Sequence, residues 1–389
     1  MLCGAASPVD AVLCPLRESA GRVLAEDLCA ANDQPPFRRS AMDGYALRRA
    51  DIAGASLEMP VTLTVRGCLF AGDAPLPAGS LKAGEAIRIM TGAPVPDDAD
   101  QVIRQEDTDE GEETVRIFAD GSERSNISPV GEDFSRGECL IQKGTLIDAY
   151  ALSCACAAGI DALPVRRKIR AGLVMTGNEL CPPGQPLPPG KIYNSNEAFL
   201  KGALTQLGCE IVDAVYAEDD LGRITEAIRR MQGLTDLIIT TGGVSVGKRD
   251  LVPDALEVIG ARTLFHGIAI KPGMPTLGAV YEGVPILGLS GNPFSAAVMF
   301  ELLGRPLISR MLGREGAAFT QSMALLEGDV EQRGPVPRVM MGIFDGKKVR
   351  VYGRQHNAQM KYGIGSNCMV ILPPGKGLFH TGDEVEILL

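Results

Sequence analysis

The sequence lacks tryptophan, has few aromatic residues and contains no long apolar segment. Aromatic residues make up only 5% of its 389 residues, so its cores must be built mainly from alanine, valine, isoleucine and leucine. No apolar run reaches the roughly 18 residues that a membrane-spanning helix requires, and residues Met1 to Pro8 have no basic region typical of a signal peptide. We therefore expect a globular, cytoplasmic protein with no membrane partner.

Several common catalytic signatures are also missing. The sequence has neither a Walker P-loop nor a GxGxxG turn, which disfavours ATP hydrolysis and dinucleotide binding, and it has no GxSxG elbow for a serine hydrolase. Its three histidines form no recognisable group, and its ten cysteines include no CxxC pair. Cys154 and Cys156 are predicted to be small, reduced core residues.

The net charge of −10 is spread along the chain and is not concentrated in a tail. Such a surface repels nucleic acid, and no lysine and arginine stripe provides a track for a phosphate backbone. We therefore expect no nucleic-acid partner. Any anionic substrate must be held by local hydrogen-bond donors, because the overall field of the protein repels it.

The first half of the chain has helical patterns on either side of a β pattern. Apolar residues at helical spacing predict a helix over residues 9–31, and an alanine-rich stretch predicts another over 147–160. Short β segments between 57 and 118 predict a small β domain inserted between them. The predicted boundaries are 1–38 and 135–165 for a helical domain and 39–134 for the inserted β domain.

The second half predicts an α/β domain followed by a β domain. Strand and helix patterns alternate after residue 166, which predicts a doubly wound, mostly parallel sheet with helices on both faces. One helix is predicted over 197–207 with Ser195 or Asn196 as its cap, and another over 294–312. Strand patterns after residue 320 predict a β barrel or sandwich. The predicted boundaries are 166–316 for the α/β domain and 317–389 for the C-terminal domain.

Three of the predicted strands end in unusual loops, at residues 175–179, 240–247 and 289–293. Ligands of open α/β sheets bind outside the carboxyl ends of the strands. Successive glycines can aim backbone N–H groups inward, and a helix start adds further donors. The loops therefore predict a cradle for a phosphate and a flat heterocycle; the alternative is that they are only tight turns.

Candidate charged residues accompany these loops. Asp43, Asp133 and Asp250 together could hold Mg²⁺, which prefers carboxylates and substrate phosphate oxygens; each could instead be a cap or turn residue. Lys271 follows a strand and precedes a Pro-Gly pair. It is predicted to contact an anion, with an ordinary surface lysine as the alternative.

Six motifs in this order resemble the molybdopterin molybdenumtransferase family, which includes bacterial MoeA and the E domain of gephyrin. The motifs are SAMDGYA (40–46), IMTGAPVP (89–96), GED (131–133), TTGGVSVG (240–247), IAIKPG (268–273) and LSGNP (289–293). The resemblance implies an elongated four-domain subunit in a homodimer, whose α/β domain binds molybdopterin in a cleft completed by the partner subunit. It also implies a reaction of adenylylated molybdopterin with molybdate that gives molybdenum cofactor and AMP and requires Mg²⁺.

The resemblance also assigns roles to individual residues. Asp43, Glu179, Asp250 and Lys271 fall on catalytic positions, and Asp43, Asp133, Glu179 and Asp250 on candidate metal ligands. The implied substrate-binding residues are Thr91, Gly242, Gly243, Ser245, Gly247, Ser290, Gly291, Asn292 and Pro293. The enzyme that adenylylates molybdopterin is a further candidate partner.

The sequence departs from the family pattern at several polar positions. Met274 replaces a second lysine, Asn178 an aspartate and Met341 an arginine, while His356-Asn357 replaces a small Ser/Gly patch; Arg354 is a possible compensating cation. These departures leave two alternatives to molybdenum insertion, namely a molybdopterin carrier or scaffold without insertion activity and a tungstate-inserting paralogue. An adenylyltransferase is disfavoured, because such enzymes lack the SAMDGYA and C-terminal β regions.

Overall fold

A computed structural model describes residues 1–121, 124–245, 247, 250–314, 319–353, 355–375 and 377–389. Its α-helices are α1 Ala149–Ala157, α2 Ser195–Gln206, α3 Leu221–Gln232, α4 Val252–Val258, α5 Pro293–Met299 and α6 Arg305–Met311. Its strands are β1 Ala11–Pro15, β2 Leu28–Cys29, β3 Arg39–Ser40, β4 Gly44–Leu47, β5 Val61–Leu69, β6 Glu85–Ile89, β7 Gln101–Arg104, β8 Thr114–Ile117, β9 Ile127–Ser128, β10 Cys139–Ile141, β11 Ala162–Arg166, β12 Arg170–Thr176, β13 Leu180–Cys181, β14 Ile192–Tyr193, β15 Glu210–Ala217, β16 Leu237–Thr241, β17 Arg262–His266, β18 Leu277–Tyr281, β19 Val284–Leu289, β20 Gln321–Glu327, β21 Val330–Gln332, β22 Arg338–Phe344, β23 Lys348–Val351, β24 Cys368–Leu372, β25 Gly377–Phe379 and β26 Glu384–Leu388. Among the described residues, no helix combines the length and the apolar character needed to cross a bilayer.

The N-terminal segment is mostly extended, so the helix predicted over 9–31 and the helical N-terminal domain are wrong. β1 pairs antiparallel with β11, and β2 pairs with β10. Local apolar spacing suggested a helix, but backbone pairing with a segment about 150 residues away decides the conformation. The second predicted helix is confirmed as α1, where the Asp148 side chain accepts a hydrogen bond from the N–H of Ala151. Cys156 on this helix is exposed and Cys154 only partly buried, so their prediction as core residues is wrong.

The segment between these parts forms a five-stranded sheet in the order β7-β4-β6-β5-β8. The four β segments predicted between 57 and 118 are confirmed as β5, β6, β7 and β8. The interior strand β4, which pairs with both β6 and β7, was not predicted. It is four residues long and fully buried, so it has no alternating pattern to reveal it.

A six-stranded sheet in the order β15-β12-β16-β19-β18-β17 forms the α/β part of the protein. β15, β12, β16 and β19 are mutually parallel, whereas β18 is antiparallel to both β19 and β17. One core joins the sheet to α2, α5 and α6, and a second core on the opposite face joins it to α3 and α4. The predicted doubly wound, mostly parallel sheet is confirmed, although β18 was not predicted; the strand expected before Lys271 is β17, which ends at His266.

Two details of the helices differ from prediction. The cap of α2 is Asn194, whose side chain accepts from the N–H of Glu197, and not Ser195 or Asn196. The helix predicted over 294–312 is α5 followed by a π-helical turn at Phe300–Gly304 and then α6. Pro306 lies in the first turn of α6; because it has no backbone N–H, it disfavours uninterrupted α-helical bonding there.

The C-terminal strands close into a barrel in the order β20-β23-β22-β24-β26, and β21 pairs with β25 beside it. The prediction left open a barrel or a sandwich; the structure has the barrel. Its core is apolar and centres on residues such as Met340, Val370 and Ile387. The backbone of Lys271 joins this barrel to the α/β part, because its N–H donates to Pro337 and its carbonyl accepts from Val339 at 2.9 and 2.7 Å.

Candidate active site

Three loops meet at the carboxyl edge of the parallel sheet. Met175 pairs with Thr241 and Thr241 with Leu289, so the loops after β12, β16 and β19 start at the same level. The N–H of Gly242 donates to the carbonyl of Leu289 at 3.0 Å. A Cβ added to Gly291 would lie 3.5 Å from the Cα of Gly242. The loops 242–247 and 290–293, here called the glycine loops, therefore lie side by side; Val246 lies outside the described residues.

The first glycine loop requires its glycines for steric reasons. Gly242 and Gly243 have φ of 83° and 63°, in the left-handed region that favours glycine. A Cβ on Gly242 would lie 2.5 Å from the carbonyl oxygen of Thr176, and one on Gly243 would lie 3.0 Å from the Thr176 hydroxyl. The loop backbone is thus packed directly against the end of β12.

Asn196, which the sequence analysis missed, holds the second glycine loop. Its side-chain amide is buried and donates to the carbonyl of Gly291 at 2.9 Å. Within the loop, the N–H of Asn292 donates to the Ser290 hydroxyl at 3.2 Å. No signal in a single sequence separates Asn196 from an ordinary polar residue in the first turn of α2.

The start of α5 does not provide all of the donors expected from it. The N–H groups of Phe294 and Ser295 donate to the carbonyl of Asn357 at 2.9 and 3.2 Å. Asn357 belongs to the C-terminal part of the chain, so these two donors are already used within the protein. An anion beside Pro293 would have to be held by the loop that precedes the helix.

Asp250 has the local turn role that was its alternative interpretation. Its carboxylate accepts from the N–H of Gly247 at 2.8 Å, and its own N–H donates to the carbonyl of Gly247 at 3.0 Å. A Cβ on Gly247 would lie 2.6 Å from the same carboxylate oxygen. The carboxylate therefore shapes the end of the first glycine loop.

The loop after β12 presents Glu179 to solvent. Glu179 is exposed, and its carboxylate folds back to within 2.7 Å of the position that a Cβ on Gly177 would occupy. The neighbouring Asn178 accepts from the N–H of Asp219 at 3.1 Å through its side-chain oxygen. An aspartate could accept the same bond, so the change to asparagine at position 178 preserves this contact.

The segment between β3 and β4 presents Asp43 beside Thr91. One carboxylate oxygen of Asp43 accepts from both the hydroxyl and the N–H of Thr91, each at 2.7 Å. These hydrogen bonds, the hydroxyl first, hold the pKa of Asp43 below its ordinary value. The next residue, Gly44, has no room for a side chain, because a Cβ there would lie 1.9 Å from the carbonyl oxygen of Ile103. The structure thus brings together two of the residues assigned by the resemblance.

The four candidate metal ligands do not converge within one chain. Asp43, Asp133 and Glu179 are exposed, and the N–H of Asp133 donates to the carbonyl of Gln34 at 2.9 Å. Among the residues that the structure describes, no three histidine, cysteine, aspartate or glutamate side chains are grouped as metal ligands would be. A cation at these positions would need ligands from elsewhere.

A cleft of about 710 Å³, here called the Lys271 cleft, lies between Lys271-Pro272 and the C-terminal part of the chain. Its basic lining residues are Lys271, Arg333, Arg338 and His356, with Asp329 and Glu331 also present. Arg338 donates to the carbonyl of Glu331 at 3.1 Å. Burial lowers the pKa of Arg338, and the nearby Glu331 opposes that shift.

Arg338 was not predicted from the sequence as a site residue, whereas Met341 was considered there. Residues 338 and 340 line the Lys271 cleft, whereas Met341 lines a separate cavity of about 640 Å³ against α5 and the barrel. Strand alternation explains this difference, because residues an odd number apart point to opposite faces. His356 does line the Lys271 cleft, while Arg354 lies outside the described residues.

Two family descriptions match successive parts of the chain. The MoeA N-terminal region (domain I and II) matches residues 2–159, and the probable molybdopterin binding domain matches residues 172–310. The second match contains both glycine loops and Lys271. The first contains Asp43, Thr91 and Asp133.

Relatives and a solved structure match over nearly the whole chain. Molybdopterin molybdenumtransferase of Synechococcus elongatus is 36% identical over 379 residues, covering 96% of this chain and 93% of that protein. Molybdopterin molybdenumtransferase 2 of Mycobacterium tuberculosis is 38% identical over 380 residues, with the same two coverages. The crystal structure of the molybdopterin biosynthesis MoeA protein of Pyrococcus horikoshii has a TM-score of 0.85 and 32% identity, covering 100% of this chain and 98% of that chain.

Proposed function

The chain belongs to the molybdopterin molybdenumtransferase family, and we propose that it converts adenylylated molybdopterin and molybdate into molybdenum cofactor and AMP. This membership makes the protein a transferase that inserts molybdenum in molybdenum cofactor biosynthesis. The carrier and scaffold alternative is not favoured, because the relatives that match over the full length are named as transferases. The proposal concerns how the reaction is carried out and by which residues.

The observation that carries the proposal is the contact between the two glycine loops. We propose that Gly242, Gly243, Ser245 and Gly247, together with Ser290, Gly291, Asn292 and Pro293, bind the pterin nucleotide. The required glycines and the contact of Gly242 with Gly291 support this role, since close backbone approach is what a phosphate cradle needs. Such a cradle uses neutral N–H donors, which suits a protein whose net charge of −10 would repel the substrate.

The carboxylates suit a divalent cation shared with the substrate. Mg²⁺ is usually held by one or two carboxylates, water and substrate phosphates and does not need a cage of protein ligands. Asp43 and Asp250 each use one oxygen for a backbone N–H at 2.7 and 2.8 Å, which leaves the second oxygen of each carboxylate to serve as a ligand. We assign Asp43, Asp133, Glu179 and Asp250 as the candidate ligands. When bound, the cation would neutralise the pyrophosphate.

The chain's own groups would then act on the leaving AMP and on the incoming anion. The N–H groups of Gly242, Gly247 and Asn292 are already used within the chain, so other N–H groups of the glycine loops would stabilise the negative charge that develops as the phosphate anhydride is cleaved. Lys271 and Arg338 line one cleft, and their fixed positive charges would hold molybdate, a tetrahedral dianion. Hydrogen bonds to Pro337 and Val339 hold the backbone of Lys271 beside this cleft.

We also propose a cytoplasmic homodimer in which the partner subunit completes the site. The separation of the four carboxylates within one chain supports this arrangement. Exposed apolar side chains of the N-terminal part could form a subunit interface: Val12, Leu13, Leu146 and Tyr150. The boundaries 1–38 with 135–165, 39–134, 166–316 and 317–389 remain our proposal for its four domains, and the adenylylating enzyme remains a proposed partner.

The test is AMP release from adenylylated molybdopterin. We expect release by the wild-type protein to depend on both molybdate and Mg²⁺, and to fall strongly in Asp43→Ala and Glu179→Ala proteins. Wild-type rates in both variants would show that the assigned carboxylate roles are wrong. Binding of the substrate without any AMP release would instead identify a carrier. Competition between molybdate and tungstate in the same assay decides which oxyanion is preferred.

A further inference from the structure

We propose that His266 is a positioning residue that fixes the first glycine loop and sets its distance from Lys271. The inference rests on the proposed function of that loop, and it assigns a role to one of the three histidines that form no group in the sequence. His266 is the last residue of β17. β17 and β19 are each antiparallel to β18, so β17 ends at the same edge of the sheet as the glycine loops.

A single hydrogen bond joins His266 to the loop. Its Nε2 lies 2.7 Å from the carbonyl oxygen of Val244. A carbonyl oxygen can only accept, so Nε2 must carry the proton and donate. The Val244 side chain is also buried, and it lies close enough to Gly288 that a Cβ there would be 3.0 Å from its Cγ1. The loop is therefore held at one residue by a hydrogen bond and by apolar packing.

This hydrogen bond determines the direction of the next backbone donor. The C=O and N–H of a trans peptide group point in opposite directions. Because the carbonyl of Val244 points to His266, the N–H of Ser245 points away from β17. Ser245 is one of the proposed substrate-binding residues, so His266 orients a donor of the cradle without touching the substrate.

His266 also connects the loop to the Lys271 cleft. The segment that follows is held by hydrogen bonds from Gly267 to Thr276 at 2.9 Å and from Ile268 to Met274 at 2.8 Å. Lys271 ends this segment and is bonded to the barrel backbone at Pro337. Through His266, the phosphate cradle and the backbone of Lys271 belong to one hydrogen-bonded frame.

The experiment compares His266→Phe, which keeps a ring but has no donor, with His266→Gln, whose side-chain amide can replace Nε2. Hydrogen exchange of a peptide covering residues 242–247 and the steady-state kinetics of molybdate-dependent AMP release are measured for each. We expect the phenylalanine variant to exchange faster in this peptide and to raise KM for adenylylated molybdopterin about tenfold with a smaller change in kcat. Glutamine should restore both, and Thr263→Val on the same strand should match the wild type.

The outcomes separate this inference from the proposed function. If loop exchange and KM are unchanged in the phenylalanine variant, or if glutamine and phenylalanine behave alike, His266 is not a positioning residue. A fall in melting temperature with unchanged KM would assign it a structural role only and would overturn the inference. If the wild type releases no AMP, the proposed function fails, while the difference in loop exchange still tests the contact with Val244.

Discussion

The glycine loops and the Lys271 cleft are built in different ways. At the glycine loops, the groups proposed to bind substrate are backbone amides, and positions such as Gly242 have no room for a Cβ. At the Lys271 cleft, the binding groups are the ends of long side chains that line a volume of about 710 Å³. A backbone cradle is sensitive to an added side chain wherever its backbone is closely packed, as at Gly242, whereas a side-chain cleft can exchange one cation for another from a nearby position.

This difference matches where the chain departs from its family. The glycine loops contain two of the motifs that carry the resemblance, and of the residues expected to depart from the family pattern His356 lines the cleft, whereas Met341 lines the other cavity. Arg338 supplies a guanidinium group to the cleft, whereas the side chain at position 341 lines the other cavity. The cleft proposed to bind molybdate therefore keeps the positive charge of Arg338 despite these departures. Each prediction below tests one side of this comparison.

The largest effect is expected for Gly242→Ala. The added Cβ would collide with the Thr176 carbonyl at 2.5 Å and would strain a backbone with φ of 83°. We expect the free energy of unfolding to fall by about 3 kcal/mol and AMP release to fall about 100-fold. Chemical denaturation and the AMP assay measure the two effects.

Gly208→Ala is the matched control, since Gly208 has φ of 77° and nothing within 4 Å of its added Cβ. It should lose only about 1 kcal/mol and keep full activity. If both variants lose similar stability and activity, backbone strain alone explains the loss, and the close packing of the loop is irrelevant.

The second prediction tests the positive charge of Lys271 in the cleft. Lys271→Met should raise the molybdate concentration needed for half-maximal AMP release about 10- to 100-fold, because a charge-assisted contact is lost. KM for adenylylated molybdopterin should change little, and Lys271→Arg should retain most of the affinity for molybdate. A defect confined to the pterin substrate would contradict the assignment of this cleft to the oxyanion.

The glycine loops could be predicted from the sequence better than the cleft, because each loop is a continuous stretch of backbone and the cleft is built from side chains that are distant in sequence. Successive glycines after an apolar strand are a local signal, and the structure confirms the parallel strands that carry them. Arg338 and His266 could not be found in this way, because their positions depend on strand β22 joining the Lys271 segment and on β17 joining the sheet edge. The prediction of a helix over 9–31 was wrong for a similar reason, since β1 in this segment pairs with β11, which is distant in sequence.

The third prediction concerns Asp43, a carboxylate whose pKa is lowered by hydrogen bonds from Thr91. The Thr91 hydroxyl and N–H stabilise the carboxylate, so the folded-state pKa is depressed. Their stabilisation is present above the ordinary pKa of Asp43 and is lost as the pH falls through the depressed value. In Thr91→Val the hydroxyl is lost, and the acidic limb of the AMP-release profile should move to higher pH. Thr91→Ser should keep the wild-type profile; identical profiles for valine and serine would show that the hydroxyl does not control Asp43.

The smallest effect is expected for Met274→Lys, which introduces the second lysine that the resemblance leads us to expect three residues after Lys271. Met274 is 43% exposed, so an ammonium group there would be largely solvated and would strengthen molybdate binding only two- to threefold, since exposed charge pairs contribute about 0.2 to 1 kcal/mol. The measurement is half-maximal molybdate at low and high salt, because screening should remove most of a surface effect. A gain of 100-fold would show that the cleft of this protein is deficient in cations and that Arg338 does not compensate. A small, salt-sensitive gain would show that a side-chain cleft tolerates the exchange, whereas the first glycine loop has no room for an added methyl group at Gly242.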